Sequence, residues 1–172
     1  MGRRIGWLLL ATLWFVGTQT QMSWAVVGLD EKAPHFILPD LQGRPVDLKD
    51  LKGKVVYINF WASWCGPCKQ EFPELIKLAN KYREAGFVVL AVNQDKQRAG
   101  VDDFLDKYAP IAPNMTILLD PKMTVIASFG PRALPTSFVL DREGVVRYIH
   151  FGFKDTDPAA WAGEIEPLLK EM

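Results

Sequence analysis

The chain has 172 residues with 20 basic and 20 acidic side chains. That is long enough for one domain with a sizeable core, and too balanced in charge for electrostatic binding of nucleic acid. A composition of 49% hydrophobic and 23% charged residues is that of a globular protein, and no repeat, low-complexity tract or long linker interrupts it.

The first 25 residues differ from the rest. Arg3 and Arg4 precede a short apolar run, Ile5 to Val16, then a polar patch, Gly17 to Gln21, then Ser23-Trp24-Ala25, a small-x-small cleavage pattern. Residues 1–25 therefore read as a secretory signal peptide. The apolar run is shorter than the roughly 20 residues of a spanning helix. An uncleaved N-terminal membrane anchor is the alternative, because Met22, Trp24, Val26 and Val27 extend it. Either reading places residues 26–172 in the periplasm or another extracytoplasmic space. Loss of the leader removes two arginines and no acid, leaving 18 basic and 20 acidic residues and a net charge of −2.

Val26 to Lys32 is expected to be a mobile lead-in. Pro34 to Leu38 and Pro45 to Leu48 flank Gln42-Gly43 and predict a β-hairpin that holds His35. Asp50 to Lys54 turns into Val55-Val56-Tyr57-Ile58-Asn59-Phe60, a β-branched and aromatic run suited to a strand buried on both faces. Phe72, Leu75, Ile76, Ala79 and Tyr82 recur at helical spacing, and Gly86 stops that helix. Phe87 to Val92 predicts a strand, Arg98 to Tyr108 a helix broken by Pro110 and Pro113, Thr116 to Leu119 a strand, and Thr124 to Phe129 a short helix ended by Gly130. Arg132 to Leu140 leads through the turn Asp141 to Gly144 into a returning strand, Val145 to Phe151. A last helix starts near Asp157-Pro158 with Asp157 as N-cap, striped by Trp161, Ile165, Leu168 and Leu169. Alternating elements closed by a hairpin imply an α/β fold with a mixed sheet and helices on both faces.

The only two cysteines, Cys65 and Cys68, stand between the buried strand and its helix, in Trp64-Cys65-Gly66-Pro67-Cys68. Gly66 and Pro67 make a tight turn, and proline is tolerated in a first helical turn. A thiolate at a helix N-terminus is stabilised by unpaired N–H groups and the helix dipole. Cys65 should lie at the exposed mouth and Cys68 deeper. The expected chemistry is attack by Cys65 on a disulfide, a mixed disulfide, and resolution by Cys68. A structural disulfide across two residues would close almost no loop. A structural zinc needs about four ligands, and His35 and His150 are not spaced to complete the set, so no metal and no cofactor is expected.

These residues carry a resemblance. Ala33-Pro34-x-Phe36, the run from Asn59 to Cys68, Pro73 and Leu134-Pro135-Thr136 make the chain similar to exported thioredoxin-like proteins of the TlpA, ResA and CcmG (DsbE) type. The resemblance covers essentially all of residues 26–172 and implies a thioredoxin-like fold with an N-terminal hairpin extension and a central αβ insertion. It implies Cys65 as attacking and Cys68 as resolving cysteine, a cis Pro135, and a helix-kinking Pro73. Trp64, Gly66, Pro67, Leu134 and Pro135 are the implied substrate-binding residues, with Leu134 backbone groups beside Cys65. Glu71, three residues after Cys68, matches an acid implicated in ResA-like proteins; it either assists proton transfer at Cys68 or is a plain surface residue. Cytosolic thioredoxins carry a buried Asp where this chain has Asn59, and their basic partner is missing from Phe87 to Val92.

The function this implies is extracytoplasmic protein-disulfide reduction. Its substrates would be protein disulfides or dithiols, for example in cytochrome c maturation or metal-site assembly. A membrane thiol-reductase would donate the electrons, and the protein would be a monomer. The alternatives are a DsbA-type thiol oxidant, against which stand the Gly-Pro dipeptide and the lack of a long helical insertion, and a copper-binding chaperone using the thiols with Met115 or Met123. Peroxiredoxins share the fold but place Thr three residues before the reactive Cys, where this chain has Ala62.

Overall fold

A computed structural model describes residues 27–171 apart from 109 and 132; the expected leader lies outside the described residues. The hairpin is short, with β1 (Ile37–Pro39) antiparallel to β2 (Pro45–Asp47), and a single 3-10 turn (Leu48–Leu51) follows it. The Asp47 side chain accepts from the backbone N–H of Lys49 at the start of that turn.

The chain then enters β3 (Val55–Trp61), every residue of which is buried. A strand so apolar must be covered on both faces. Its two sets of alternate side chains divide the core. Val55, Tyr57 and Trp61 pack with α1 (Gly66–Lys81), α2 (Arg98–Leu105) and α4 (Asp157–Lys170). Val56, Ile58 and Phe60 pack with α3 (Thr124–Phe129) and with Phe36 and Leu38 of the hairpin region. Full burial of such side chains stabilises by roughly 1.5–3 kcal/mol each.

The sheet is mixed and five-stranded. β4 (Phe87–Asn93) runs parallel to β3, and β5 (Met115–Leu119) parallel to β4. On the other side β6 (Thr136–Leu140) runs antiparallel to β3, and β7 (Val146–Phe151) antiparallel to β6. The order is β5-β4-β3-β6-β7. α2 and β5 form the expected central insertion, and β5 extends one edge of the sheet.

Three expectations need correction. Residues 27–32 are tied down: the Val27 N–H donates to the Phe129 carbonyl at 3.3 Å, the Asp30 N–H to the Val146 carbonyl at 2.8 Å, and Lys32 bridges Val145. The buried Val27 side chain supplies the apolar reason, packed in the α3-side core. Asp157 is not the N-cap of α4; Thr156 holds that position without a side-chain cap bond, and Asp157 is the first helical residue, its carboxylate accepting from the Lys154 N–H at 2.8 Å. α2 ends at Leu105, and residues 106–108 continue as a turn.

Pro73 sits inside α1. It has no N–H to give the Lys69 carbonyl one turn earlier. The Tyr108 hydroxyl donates to that carbonyl at 3.1 Å instead. Tyr108 also packs against Phe72 and Phe104, with ring centroids 5.6 and 4.8 Å away.

Candidate active site

β3 delivers the chain to a turn, and the turn to the first residue of α1. Cys65 is the N-cap of that helix: its backbone is extended, and its Sγ accepts from the Cys68 N–H at 3.2 Å. Pro67 stands in the first turn, where its missing N–H costs nothing. Cys65 and Cys68 are joined in a disulfide with Cα atoms 5.3 Å apart. Cys65 is 5% exposed and Cys68 1%. Cys65 is thus the sulfur nearer solvent, set against the free N–H groups of the helix start.

Cys65 opens onto a hollow of about 890 Å³. Trp64, Gly66, Pro67 and Leu134 line it. Trp64 is 68% exposed, a large aromatic surface directly beside the disulfide. The Leu134–Pro135 peptide bond is cis, and Leu134 brings that loop to the same hollow as Cys65. Pro135 itself does not line the hollow; its carbonyl accepts from the Gly152 N–H at 2.8 Å.

Sequence reasoning missed the rest of the rim. The segment after β4 contributes Gln94, Asp95, Lys96 and Gln97, and α3 contributes Ile126. Asp95 latches the active-site turn: its carboxylate accepts from the Ser63 N–H at 2.8 Å and the Ser63 hydroxyl at 2.6 Å. It also accepts from the Asn93 amide at 2.7 Å. Gly100 approaches so closely that a Cβ there would lie 3.0 Å from the Ser63 Oγ. Met123, one of the two methionines weighed as a soft ligand, lines the hollow, whereas Met115 is buried in β5. Among the described residues no group of three or more His, Cys, Asp or Glu could hold a metal ion.

Beneath the disulfide lies a buried polar cluster. Glu71 is 1% exposed, which removes the reading of it as a surface residue. Being three residues after Cys68, it lies one turn along the same side of α1. The Asn59 amide donates to Glu71 Oε2 at 2.8 Å and to Ser137 Oγ at 2.9 Å. The Ser137 hydroxyl reaches Glu71 Oε1 at 3.5 Å. Burial pushes the Glu71 carboxyl from 4.5 up to about 8, against the downward pull of the Asn59 and Ser137 hydrogen bonds and with the Asp157 charge adding to the rise. Asn59 thus fixes an ionisable group on α1 rather than being one, which is why its own residue type gave no hint of acid-base chemistry. A cue was available: Glu71 follows Cys68 by one turn and immediately precedes the core residue Phe72.

Fold and site together define a thioredoxin-like protein with a Cys-Gly-Pro-Cys disulfide at a helix N-terminus. The AhpC/TSA family profile matches residues 29–149, and the chain belongs to that family. It is 38% identical over 118 residues to the thiol-disulfide oxidoreductase ResA of Bacillus thuringiensis, covering 69% of this chain and 66% of that protein. The corresponding Bacillus subtilis protein is 37% identical over 114 residues, covering 66% of this chain and 62% of its own length. The aligned part thus spans just under two thirds of these relatives. Among solved structures, a thiol:disulfide interchange protein of DsbE type from Chlorobium tepidum superimposes with a TM-score of 0.77 at 40% identity, covering 83% of this chain and 99% of that one.

Proposed function

We propose that the protein is an extracytoplasmic thiol-disulfide oxidoreductase that reduces protein disulfides through Cys65 and Cys68. The observation that carries this reading is the placement of Cys65 as helix N-cap at the hollow, with Cys68 one turn deeper. The family and the oxidoreductase relatives support it.

In the cycle proposed, the reduced protein attacks with the Cys65 thiolate on one sulfur of a substrate disulfide. The Cys65–substrate bond forms, the substrate S–S bond breaks, and the released substrate thiolate takes up a proton. Cys68 then gives its proton to ionised Glu71 and attacks Cys65. The protein disulfide closes and the second substrate sulfur leaves as a thiolate, which takes up a proton from water. Two electrons pass from the protein dithiol to the substrate, and a dithiol donor must return them. Trp64, Gly66, Pro67 and the Leu134–Pro135 loop would hold the substrate segment against Cys65. Residues 1–25 would direct export or anchor the domain 26–172, so the donor would be a membrane thiol-reductase. Suited substrates are exported disulfides such as those met in cytochrome c maturation or metal-site assembly. Ala62 at the position where peroxiredoxins use Thr disfavours peroxidase chemistry.

The test is trapping. A Cys68→Ser variant mixed with an oxidised protein substrate should accumulate a mixed disulfide through Cys65, released by dithiothreitol, while Cys65→Ser accumulates none. Trapping by Cys65→Ser and not by Cys68→Ser would reverse the assignment of the two cysteines, and equal trapping by both would contradict it.

A further inference from the structure

The polar cluster under the disulfide does not end at Ser137. In the sheet register Asn59 of β3 stands opposite Ser137 of β6, and Ser137 opposite His150 of β7. The three occupy one row across three strands. Tyr57, two residues before Asn59 and so on the same face of β3, stacks on the His150 ring with centroids 6.0 Å apart and planes 25° apart. Its hydroxyl lies 3.4 Å from His150 Nδ1, and Ser137, two residues from the register partner of Tyr57, is its diagonal neighbour on the same face. On the far side, His150 Nε2 meets Glu164 Oε2 of α4 at 2.7 Å. The row begins at the fully buried Glu71 and ends at side chains 17% and 25% exposed, those of His150 and Glu164.

We propose that Ser137, Tyr57 and His150 form a proton relay that carries the proton Glu71 takes from Cys68 to Glu164 and solvent, by a route separate from the substrate hollow. The proposal rests on the role of Glu71 given above.

The hydrogen-bond directions are self-consistent in both states. With Glu71 protonated, its O–H donates to Ser137 Oγ and the Tyr57 O–H to His150 Nδ1, while His150 Nε2–H donates to Glu164; for the hop the Ser137 O–H turns to the diagonal Tyr57 oxygen. Transfer breaks each O–H bond and makes the next. It leaves Glu71 ionised, accepting from Ser137, and puts one proton on His150 Nδ1. The Nε2 proton then passes to Glu164 or to water. One proton moves, no electron does, and no other reactant is needed. Serine and tyrosine hydroxyls each donate one hydrogen bond and accept others, and imidazole exposes a nitrogen at either end. Burial, with the Glu71 charge adding, holds the Tyr57 hydroxyl well above the usual tyrosine range, so tyrosinate does not accumulate and the hops are concerted. The charged groups facing the row from α4 are Glu164 and Asp157, both acidic, and both favour an incoming proton. The packing around Tyr57 is otherwise apolar, with Trp161 at 5.6 Å and Phe87 at 6.5 Å between centroids.

A relay makes sense because the substrate covers the other exit. While the mixed disulfide exists, the partner protein occupies the hollow over Cys65. A proton released below it needs a second way out.

The test uses the full chain, reduced, then oxidised by insulin, a protein disulfide that covers the hollow as a small disulfide would not. Closure of the Cys65–Cys68 bond is followed by stopped-flow tryptophan fluorescence between pH 5 and 9, in H2O and D2O. Tyr57→Phe keeps the ring and deletes the hydroxyl. His150→Gln keeps a donor and an acceptor but passes no proton. The relay predicts that each slows closure at least about threefold, a small part of the usual contribution of positioned proton transfer. It also predicts a pH profile that differs from wild type, a changed solvent isotope effect, and an unchanged reduction potential at pH 7. Combining Tyr57→Phe with Glu71→Gln should cost no more than Glu71→Gln alone, because both block one path. Slower closure by Glu71→Gln with wild-type rates and isotope effects in both relay variants would overturn the relay and leave Glu71 in place. Wild-type closure by Glu71→Gln would overturn the role of Glu71 itself. Loss of stability in Tyr57→Phe with an unmoved pH profile and isotope effect would reduce Tyr57 to a packing residue and contradict the relay.

Discussion

Glu71 couples the site to the stability of the fold. A carboxyl whose folded value is about 8 against 4.5 when unconstrained binds its proton more tightly in the native state. Its contribution is fully present below pH 4.5, and it is lost as pH rises through about 8. The sign is opposite to that of a salt-bridged carboxylate. The loss across this window is on the order of a few kcal/mol. Guanidinium unfolding of the oxidised protein at pH 5 and pH 9 should therefore show lower stability at pH 9, and Glu71→Gln should abolish most of that difference. An equal pH dependence in wild type and variant would place the ionised carboxylate in a less hostile site. This coupling was only half legible in the sequence. Spacing put Glu71 a turn from Cys68, and resemblance gave it a role. What it bonds to in the core is a pair of side chains from two strands, Asn59 and Ser137, whose proximity depends on a register between residues 78 positions apart. No local pattern encodes that.

The elements around the site are held by single side chains that repair what the sequence breaks. Pro73 orphans the Lys69 carbonyl, and Tyr108 covers it. Tyr108→Phe keeps the aromatic contacts and removes the donor, so it should destabilise by about 0.5–1.5 kcal/mol, read as a shift of the denaturation midpoint. No shift would mean that water serves the carbonyl equally well. Asp95 fixes the turn that carries the cysteines through Ser63. Asp95→Ala leaves the partly buried Ser63 N–H without its acceptor, at a cost of roughly 1–3 kcal/mol; an unchanged unfolding curve would refute the latch. At this scale the sequence was informative about existence and type. β3 announced itself by its β-branched run, and α1 by its apolar spacing. The ends were less legible, because they depend on tertiary partners. Residues 106–108 leave the helix although Tyr108 keeps the expected apolar face, and Val27, read as part of a loose lead-in, is fixed by the carbonyl of Phe129.

Over the whole molecule the two faces of the sheet divide the labour. The face under α1, α2 and α4 holds both cysteines and the polar row from Glu71 toward Glu164. α3, on the other face, supplies Ile126 to the rim of the hollow. The mixed sheet could be foreseen from the order of elements, but the hollow could not. It forms where four separate segments meet: the cysteine turn, the loop after β4, the start of α3 and the Leu134 loop. Only the first and last of these carried a recognisable motif. The central claim is that this assembly works as a reductant, and its most direct test is the reduction potential of Cys65/Cys68, equilibrated against dithiothreitol or glutathione and followed by tryptophan fluorescence. A value near that of thioredoxin, about −270 mV, is predicted, whereas one near that of DsbA, about −120 mV, would make the protein an oxidant and contradict the account.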